Sequence, residues 1–216
     1  MTTRLPYLTY EDVRCRARKF LGEFNPDGDL PIDIERIADV KMGLNIVPFP
    51  NLWRDWQLSG FLLRDRSEIW VDEYQADQFP QKYRFTLAHE LGHYFLHDNF
   101  LEQVPYASLE EYIAWRMSIR ADDIGWMETH ANWFAGLVLV PGDALERVCR
   151  DTVAKYTEMF REMGEIPSDV WAFLSNEISD FFEVNPLVVE RSIDKEGIPE
   201  RVTIPHAENS KPGPSQ

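Results

Sequence analysis

A His-Glu-x-x-His motif lies near the middle of the chain, at His89, Glu90 and His93. On a helix, residues four apart lie on one face about a turn apart, so His89 and His93 can each place a ring nitrogen on one metal ion. Glu90 follows the first histidine and can reach a water molecule at the metal, where a general base is needed. The motif therefore predicts a hydrolytic metal site, provided that this segment is helical.

The residues around the motif predict the required helix. Pro80 suits a first helical position, and neither Gly nor Pro interrupts residues 81–91. The alternative is a solvated helix that carries two surface histidines. The flanks of the motif are mostly apolar, which indicates a buried helix, and buried histidines need polar partners.

A catalytic zinc site takes three protein ligands, and the motif supplies two. His97 lies about 12 Å from His89 along a straight helix axis, too far to share the ion. We expect His97 near the helix C-terminus or behind the ligands, with a partly positive imidazole that the helix dipole favours. The longer His-x-x-Gly-x-x-His pattern of another zinc-peptidase class is excluded, because Leu96 and Asn99 occupy its last two positions.

A second apolar helix, predicted at residues 125–141, offers the third ligand. Around its helical wheel Glu128 and His130 lie about 160° apart, so both cannot face one metal ion. Small and polar residues, including Asn132, accompany Glu128, whereas larger apolar residues accompany His130. We therefore predict Glu128 as the third ligand, His130 as the alternative, and Asn132 as a hydrogen-bond partner of a ligand.

Two segments together resemble the ImmA/IrrE family of bacterial metallo-endopeptidases. They are residues 84–93 (Arg-Phe-Thr-Leu-Ala-His-Glu-Leu-Gly-His) and residues 128–135 (Glu-Thr-His-Ala-Asn-Trp-Phe-Ala), followed by a closing Pro141. The resemblance implies zinc bound by His89, His93 and Glu128, with Glu90 as the catalytic base. It also implies cleavage of helix-turn-helix repressors, as in the best-known members. The chain departs from the family pattern in having His130 and a long polar segment at residues 98–123.

Bulk composition limits the classes of protein and partner. With 216 residues, 44% of them hydrophobic, the chain can form one sizeable core. Its formal net charge of -15 disfavours direct binding to nucleic acid, because phosphates are repelled. Cys15 and Cys149 are far apart in sequence, which indicates a reducing, cytoplasmic compartment. We expect neither a signal peptide nor a membrane span.

The remaining patterns predict a mixed α+β fold of the zincin-like, gluzincin type. Helices are expected at residues 9–24, 33–41, 143–163 and 168–182, with a strand at 44–49 and a hairpin formed by 59–63 and 68–71. The hairpin leads directly into the metal helix, so we expect a small sheet packed on that helix. Its edge strand is a candidate to bind a substrate backbone, although it equally suits a role in covering the core.

The C-terminal part, at about residues 143–198, is predicted to be helical within a single domain spanning residues 1–205. Residues 181–191 predict a helix, a short turn and a helix, which is also a DNA-binding arrangement. Between Ile166 and Glu200, however, eight residues are acidic and two are basic, the wrong sign for a recognition helix. Residues 206–216 are predicted to be a disordered tail.

The motif predicts a zinc-dependent endopeptidase, and the resemblance implies that it cleaves a regulatory protein such as a helix-turn-helix repressor. The net negative charge of the chain would attract the basic surface of such a repressor. The alternative is a zinc-containing module that sequesters a partner without cleaving it. Glu90 weighs against that alternative, since a structural metal site needs no base. The residue that stabilises the oxyanion is left open among His130, Tyr83 and Tyr94, with Asn132 as a further polar neighbour.

Overall fold

The computed structural model describes residues 5, 7–101, 106, 108–160 and 166–204. Its helices are α1 (Tyr10–Phe24), α2 (Ile34–Arg36), α3 (Leu52–Trp56), α4 (Glu73–Gln78), α5 (Pro80–Leu96), α6 (Asp98–Leu101), α7 (Leu109–Ser118), α8 (Ala121–Leu139), α9 (Gly142–Lys155), α10 (Thr157–Phe160), α11 (Ser168–Phe182) and α12 (Pro186–Glu196). Helix α2 continues into a π-helical turn at Ile37–Lys41. The strands are β1 (Asn45–Phe49), β2 (Gly60–Leu62) and β3 (Glu68–Asp72). The predicted tail and both ends of the predicted domain lie outside the described residues.

The three strands form one mixed sheet in the order β1-β3-β2. Strand β1 is parallel to β3, and β2 is antiparallel to β3, with Phe61 opposite Trp70. The predicted hairpin is therefore confirmed, and β2 lies at an edge of the sheet. Both β2 and β3 contact α5. The prediction of an α+β fold with a small sheet packed on the metal-motif helix is confirmed.

Helix α1 begins with a reciprocal capping box. The hydroxyl of Thr9 accepts a hydrogen bond from the backbone N–H of Asp12, and the Asp12 carboxylate accepts one from the backbone N–H of Thr9. Two N–H groups that the helix leaves unpaired are satisfied in this way. The apolar face of α1 packs on α8, where Phe20 meets Phe134 with ring centroids 5.5 Å apart.

Helices α5 and α8 cross with their backbones in contact. A Cβ atom added to Gly92 would lie 2.9 Å from the Cα atom of Ala131 and 3.1 Å from its carbonyl oxygen. Such distances leave no room for a side chain at position 92. The crossing therefore requires glycine, and it brings the motif on α5 beside the predicted ligand helix.

The C-terminal helices cover α8 from a second direction. Helix α11 packs on α9 and α12, and α12 packs on α8. Phe182 at the end of α11, Val184 in the following turn and Val189 in α12 are completely buried. These three residues of the helix-turn-helix segment therefore belong to the protein core, whereas Phe181 is 45% exposed and Leu187 is 47% exposed.

Two predicted boundaries differ from the structure. The apolar helix expected at residues 125–141 begins at Ala121, and the preceding polar segment contains the ten-residue helix α7. The helix expected at residues 143–163 ends at Lys155, where Tyr156 leaves the helical path before the short α10. Among the described residues, no helix combines the length and apolar character needed to cross a lipid bilayer.

Candidate metal centre

Three side chains converge where α5 faces α8. The Nε2 atoms of His89 and His93 lie 3.1 Å apart, and Oε2 of Glu128 lies 3.2 Å from Nε2 of His89. One ligand atom from each of the three residues lies within 4.8 Å of the others. Zinc bonds of about 2.0 to 2.1 Å place tetrahedral ligand atoms about 3.3 Å apart, so two of these spacings fit such an ion. The donor set of two imidazoles and one carboxylate also suits zinc.

Glu90 lies in the same cavity as these three residues. The cavity has a volume of about 250 Å³ and is lined by His89, Glu90, His93 and Glu128, together with groups from β2 and α7. The Glu90 carboxylate accepts a hydrogen bond from the backbone N–H of Leu62 in β2, and burial raises its pKa to about 7. A carboxyl group with this pKa is suited to accept a proton near neutral pH.

Glycine in β2 allows the sheet to approach Glu90. A Cβ atom added to Gly60 would lie 2.5 Å from the Thr86 side chain and 3.0 Å from the Glu90 carboxylate. The strand therefore forms one wall of the cavity directly against the catalytic-base candidate. The hairpin and the metal-motif helix therefore pack directly against each other at this position.

Hydrogen-bond partners surround the candidate ligands. The side-chain oxygen of Asn132 lies 3.1 Å from Nδ1 of His89, the outer position that the sequence predicted for it. Burial lowers the pKa of His89. Its hydrogen bond to Glu128 and the charge of Glu90 outweigh burial, so the pKa is raised overall. Burial raises the pKa of Glu128, but its hydrogen bond to His89 and the charges of nearby side chains outweigh burial and lower it overall. Glu128 is therefore held as a carboxylate.

Helix α7 contributes two cavity residues that the sequence reasoning missed. Nη1 of Arg116 lies 2.9 Å from Oε1 of Glu128 and donates a hydrogen bond to the Tyr112 hydroxyl at 3.0 Å. Tyr112 is buried, and burial raises its pKa to about 12, so its hydroxyl stays protonated. The spacing of four between Tyr112 and Arg116 indicates one helix face. No pattern in the nearby sequence, however, indicates that this helix face contacts Glu128.

His130 and His97 lie behind the cavity. His130 is completely buried, and its Nδ1 lies 3.3 Å from Nε2 of His97. Nδ1 of His97 in turn lies 3.1 Å from Nδ1 of His93. His97 follows the last residue of α5, as expected, but its predicted positive charge is wrong, because burial lowers its pKa to about 2. A neutral ring is stabilised by its histidine neighbours.

Of the oxyanion candidates from the sequence, Asn132 lines the metal cavity and the other three lie elsewhere. Tyr83 forms a hydrogen bond with Glu35. The guanidinium carbon of Arg66 lies over the Tyr94 ring, 5.2 Å from the ring centroid. Neither tyrosine, nor His130, is among the described residues that line the metal cavity. Tyr112 and Arg116 are the donors that α7 brings there instead.

A comparison with models of protein families shows the family to which the chain belongs. The family model described as the IrrE N-terminal-like domain, Peptidase M78, matches residues 54–193, more than half of the chain. The chain belongs to this family. The match includes the hairpin, both candidate ligand helices and most of α12, and it confirms the resemblance drawn from the two motifs. No curated protein matches the chain.

Membership of the M78 family agrees with the site geometry. The family is one of metallopeptidases, so the fold is zincin-like, as predicted, and a metal is expected between α5 and α8. The residues that converge there have the donor types that such an ion binds, and two of their spacings fit it. Two histidines alone would leave the site incomplete, and the Glu128 carboxylate, 3.2 Å from Nε2 of His89, is a candidate for the third ligand.

Proposed function

We propose that this M78 protein is a zinc-dependent endopeptidase that cleaves a regulatory protein in the cytoplasm. The observation that carries the proposal is the convergence of His89, His93 and Glu128 in one cavity with Glu90. Zinc is the proposed metal because catalytic zinc sites commonly use two histidines and one glutamate. When bound, zinc supplies Lewis acidity and lowers the pKa of a coordinated water molecule.

In this proposal Glu90 is the general base. Its carboxylate accepts a proton from the attacking water and delivers that proton to the leaving amine. The hydrogen bond from Leu62 fixes the carboxylate, and Glu90 itself is buried. The pKa of about 7 that burial gives Glu90 favours this transfer of a proton in both directions.

We assign stabilisation of the oxyanion to Tyr112, supported by Arg116. The Tyr112 hydroxyl retains its proton and lines the cavity beside the candidate ligands. Arg116 donates to that hydroxyl and leaves its proton available to a carbonyl oxygen that becomes negative in the transition state. Arg116 also balances the charge of Glu128, which keeps the carboxylate ionised for metal binding.

The space around the cavity suits a long polypeptide. A groove of about 970 Å³ between the start of α5 and the α11–α12 turn shares Lys82 and Phe85 with the metal cavity. A third cavity, of about 400 Å³, shares Phe85 and Asn132 with it. The groove and the third cavity also share Phe85, Val188 and Arg191, so they adjoin each other beside the metal cavity. A substrate chain that extends past the cut bond would find room there, which suits a polypeptide substrate. The competing function is a metal-containing module that sequesters its partner without cleavage.

A basic helix-turn-helix repressor is the proposed substrate. The experiment incubates the purified protein with a repressor encoded next to its gene, after metal removal by a chelator and again after one equivalent of zinc. We expect cleavage at one bond, identified by mass spectrometry, only in the zinc-loaded sample. Binding of an intact repressor would favour the sequestering module. Cleavage of unrelated unfolded proteins, with the repressor left whole, would contradict the proposed substrate.

A further inference from the structure

Helices α8 and α12 face each other across a cavity beside the metal centre. The cavity has a volume of about 400 Å³, and it shares Phe85 and Asn132 with the metal cavity. The side-chain oxygen of Asn132 lies 3.1 Å from Nδ1 of His89, so the two spaces meet next to a candidate metal ligand. Each helix lines the cavity with residues that share one helix face. They are Thr129, Trp133 and Gly136 on α8, and Val188, Arg191 and Lys195 on α12.

Two aromatic rings form a corner of this cavity. Tyr10 and Trp133 pack edge to face, with ring centroids 5.4 Å apart and an angle of 87° between the ring planes. The Tyr10 hydroxyl donates a hydrogen bond of 2.9 Å to the Glu196 carboxylate, which holds the ring beside the end of α12. Leu137 and Val188 add aliphatic surface to the walls. The lining therefore offers an apolar side chain a preformed place to bind.

The charged groups at this cavity are mostly basic, although the chain as a whole is acidic. Nζ of Lys195 lies 5.7 Å from the centroid of the Tyr10 ring and 5.5 Å from that of the Trp133 ring. Arg191 also lines the cavity, and Asp194 is the one acidic residue among the described residues of its lining. Two cations and one anion disfavour a lysine or arginine side chain, whereas a bound aromatic ring can contact the ammonium group through its face.

We infer that this cavity is the subsite that binds an aromatic side chain of the protein substrate near the cut bond. The inference rests on the proposed function, because the adjoining metal site gives the cavity its role. Trp133 and Lys195 are the specificity-determining residues, since they supply the apolar ring and the cation that an aromatic side chain would contact. The basic surface of the repressor then speeds association, and an aromatic residue selects the bond.

Gly136 leaves the room that a substrate side chain would occupy. Outside its own helix, the one described atom within 4 Å of a Cβ added to Gly136 is Oγ of Ser192, at 3.9 Å. The longer side chain in Gly136→Leu would point toward the preceding turn of α8 and fill part of the cavity. Gly125→Leu is the matched control, because Gly125 lies in the same helix and no described atom lies within 4 Å of its added Cβ.

Binding of N-acetyl-phenylalaninamide, followed by methyl NMR, tests the subsite without peptide hydrolysis. We expect this probe to shift the methyl signals of Thr129 and Val188 with a dissociation constant of about 1 mM, as for a ligand of its size. N-acetyl-alaninamide should bind at least about tenfold more weakly. Gly136→Leu should lose the shifts, and Gly125→Leu should keep them. No shifts in the wild-type protein, or equal shifts in the two glycine variants, would overturn the subsite.

A second variant tests the cation without changing the protein core. Lys195 is exposed, and Lys195→Met keeps most of the stem while it removes the charge, so the fold should persist. We expect the dissociation constant of N-acetyl-phenylalaninamide to rise about 2- to 5-fold, the size of an exposed cation–π contact. The control is Lys19→Met, which changes an exposed lysine on α1 and should leave the constant unaltered. Equal constants in the two variants would overturn the role of Lys195.

Cleavage of peptides that carry Phe, Ala or Lys at the positions flanking the cut bond separates the subsite from the proposed function. At one position we expect kcat/KM to be at least about tenfold higher for Phe than for Ala, and lowest for Lys. Gly136→Leu should lose this preference, and Gly125→Leu should keep it. If the capped phenylalanine binds but no peptide or protein is cleaved, the proposed function fails and the aromatic site stands. If cleavage occurs with equal kcat/KM for Phe and Ala at every position, the subsite fails and the proposed function stands.

Discussion

At the scale of single residues, Glu128 and His130 differ in what they offer a metal. Oε2 of Glu128 lies 3.2 Å from Nε2 of His89, whereas His130 reaches the centre only through His97. We therefore predict that Glu128→Ala lowers zinc affinity far more than His130→Ala. Loss of an outer partner costs roughly 10- to 100-fold, and loss of a ligand removes a metal bond as well. Chelator competition measures both constants. The ligand assignment is wrong if His130→Ala releases zinc and Glu128→Ala retains it.

A separate prediction concerns the role of Tyr112 in catalysis. Tyr112→Phe removes the hydroxyl proton from the cavity and keeps most of the buried ring, so the fold and zinc binding should persist. We expect kcat to fall about 10²- to 10³-fold, as for the loss of one oxyanion donor, with a much smaller change in KM. Steady-state kinetics on a peptide that contains the cut bond measures both constants. The matched control is Tyr94→Phe, because Tyr94 lies outside the cavity lining. Equal kcat values in the two variants would remove Tyr112 from the mechanism.

At the scale of elements, the contact between α5 and α8 determines whether the ligands meet. Gly92→Ala would place a Cβ atom 2.9 Å from the Cα atom of Ala131 and push the helices apart. We expect the protein to lose about 1 to 3 kcal/mol of stability through overpacking, and zinc binding to weaken with the displaced ligands. Gly125→Ala in α8 is the control, since nothing lies within 4 Å of its added Cβ. That control should stabilise the protein by about 0.5 to 1 kcal/mol.

Chemical denaturation of both variants measures these free energies, and metal titration measures the consequence for the site. A Gly92→Ala variant as stable as Gly125→Ala, with unchanged zinc affinity, would show that the crossing tolerates a side chain.

Local sequence patterns predicted the elements more completely than the contacts between them. Thr9 and Asp12 predicted the start of α1, Pro80 predicted the start of α5, and the spacing of His89 and His93 placed both rings on one face. These features depend on residues within a few positions of one another. The helical wheel of residues 125–141 also separated Glu128 from His130, because both lie on one helix.

The unpredicted parts of the site depend on distant contacts. Arg116 meets Glu128, and His97 meets His130, only because separate helices pack together. The prediction of a partly positive charge on His97 was wrong. It assumed that the end of the helix is solvated, whereas His97 is buried and burial lowers its pKa. Helix α7 was missed because its residues alternate apolar, acidic and aromatic types without a clean apolar stripe.

At the scale of the whole molecule, charge makes a prediction about the partner. The chain carries a formal net charge of -15, and repressors that bind DNA phosphates carry basic surfaces. We expect kcat/KM for a basic repressor to fall steeply between low and physiological ionic strength, because salt screens the attraction that speeds association. The control substrate is a short uncharged peptide with the same cut bond, whose kcat/KM should hardly change.

Operator DNA supplies an independent comparison. The DNA repels the acidic peptidase and occupies the basic surface of the repressor, so it should slow cleavage at low salt. Salt-independent cleavage of the repressor, unaffected by its operator, would indicate that the acidic charge contributes only to solubility.

The central claim is that Glu90 is the base of a zinc site formed by His89, His93 and Glu128. Glu90→Gln tests it most directly, since the amide keeps the shape of the side chain but cannot accept the proton. Zinc content and the initial rate of repressor cleavage should be measured on the same sample. We predict one bound zinc per chain, a wild-type fold and a rate reduced at least about 10²-fold. Full cleavage activity in the zinc-loaded variant would contradict the claim.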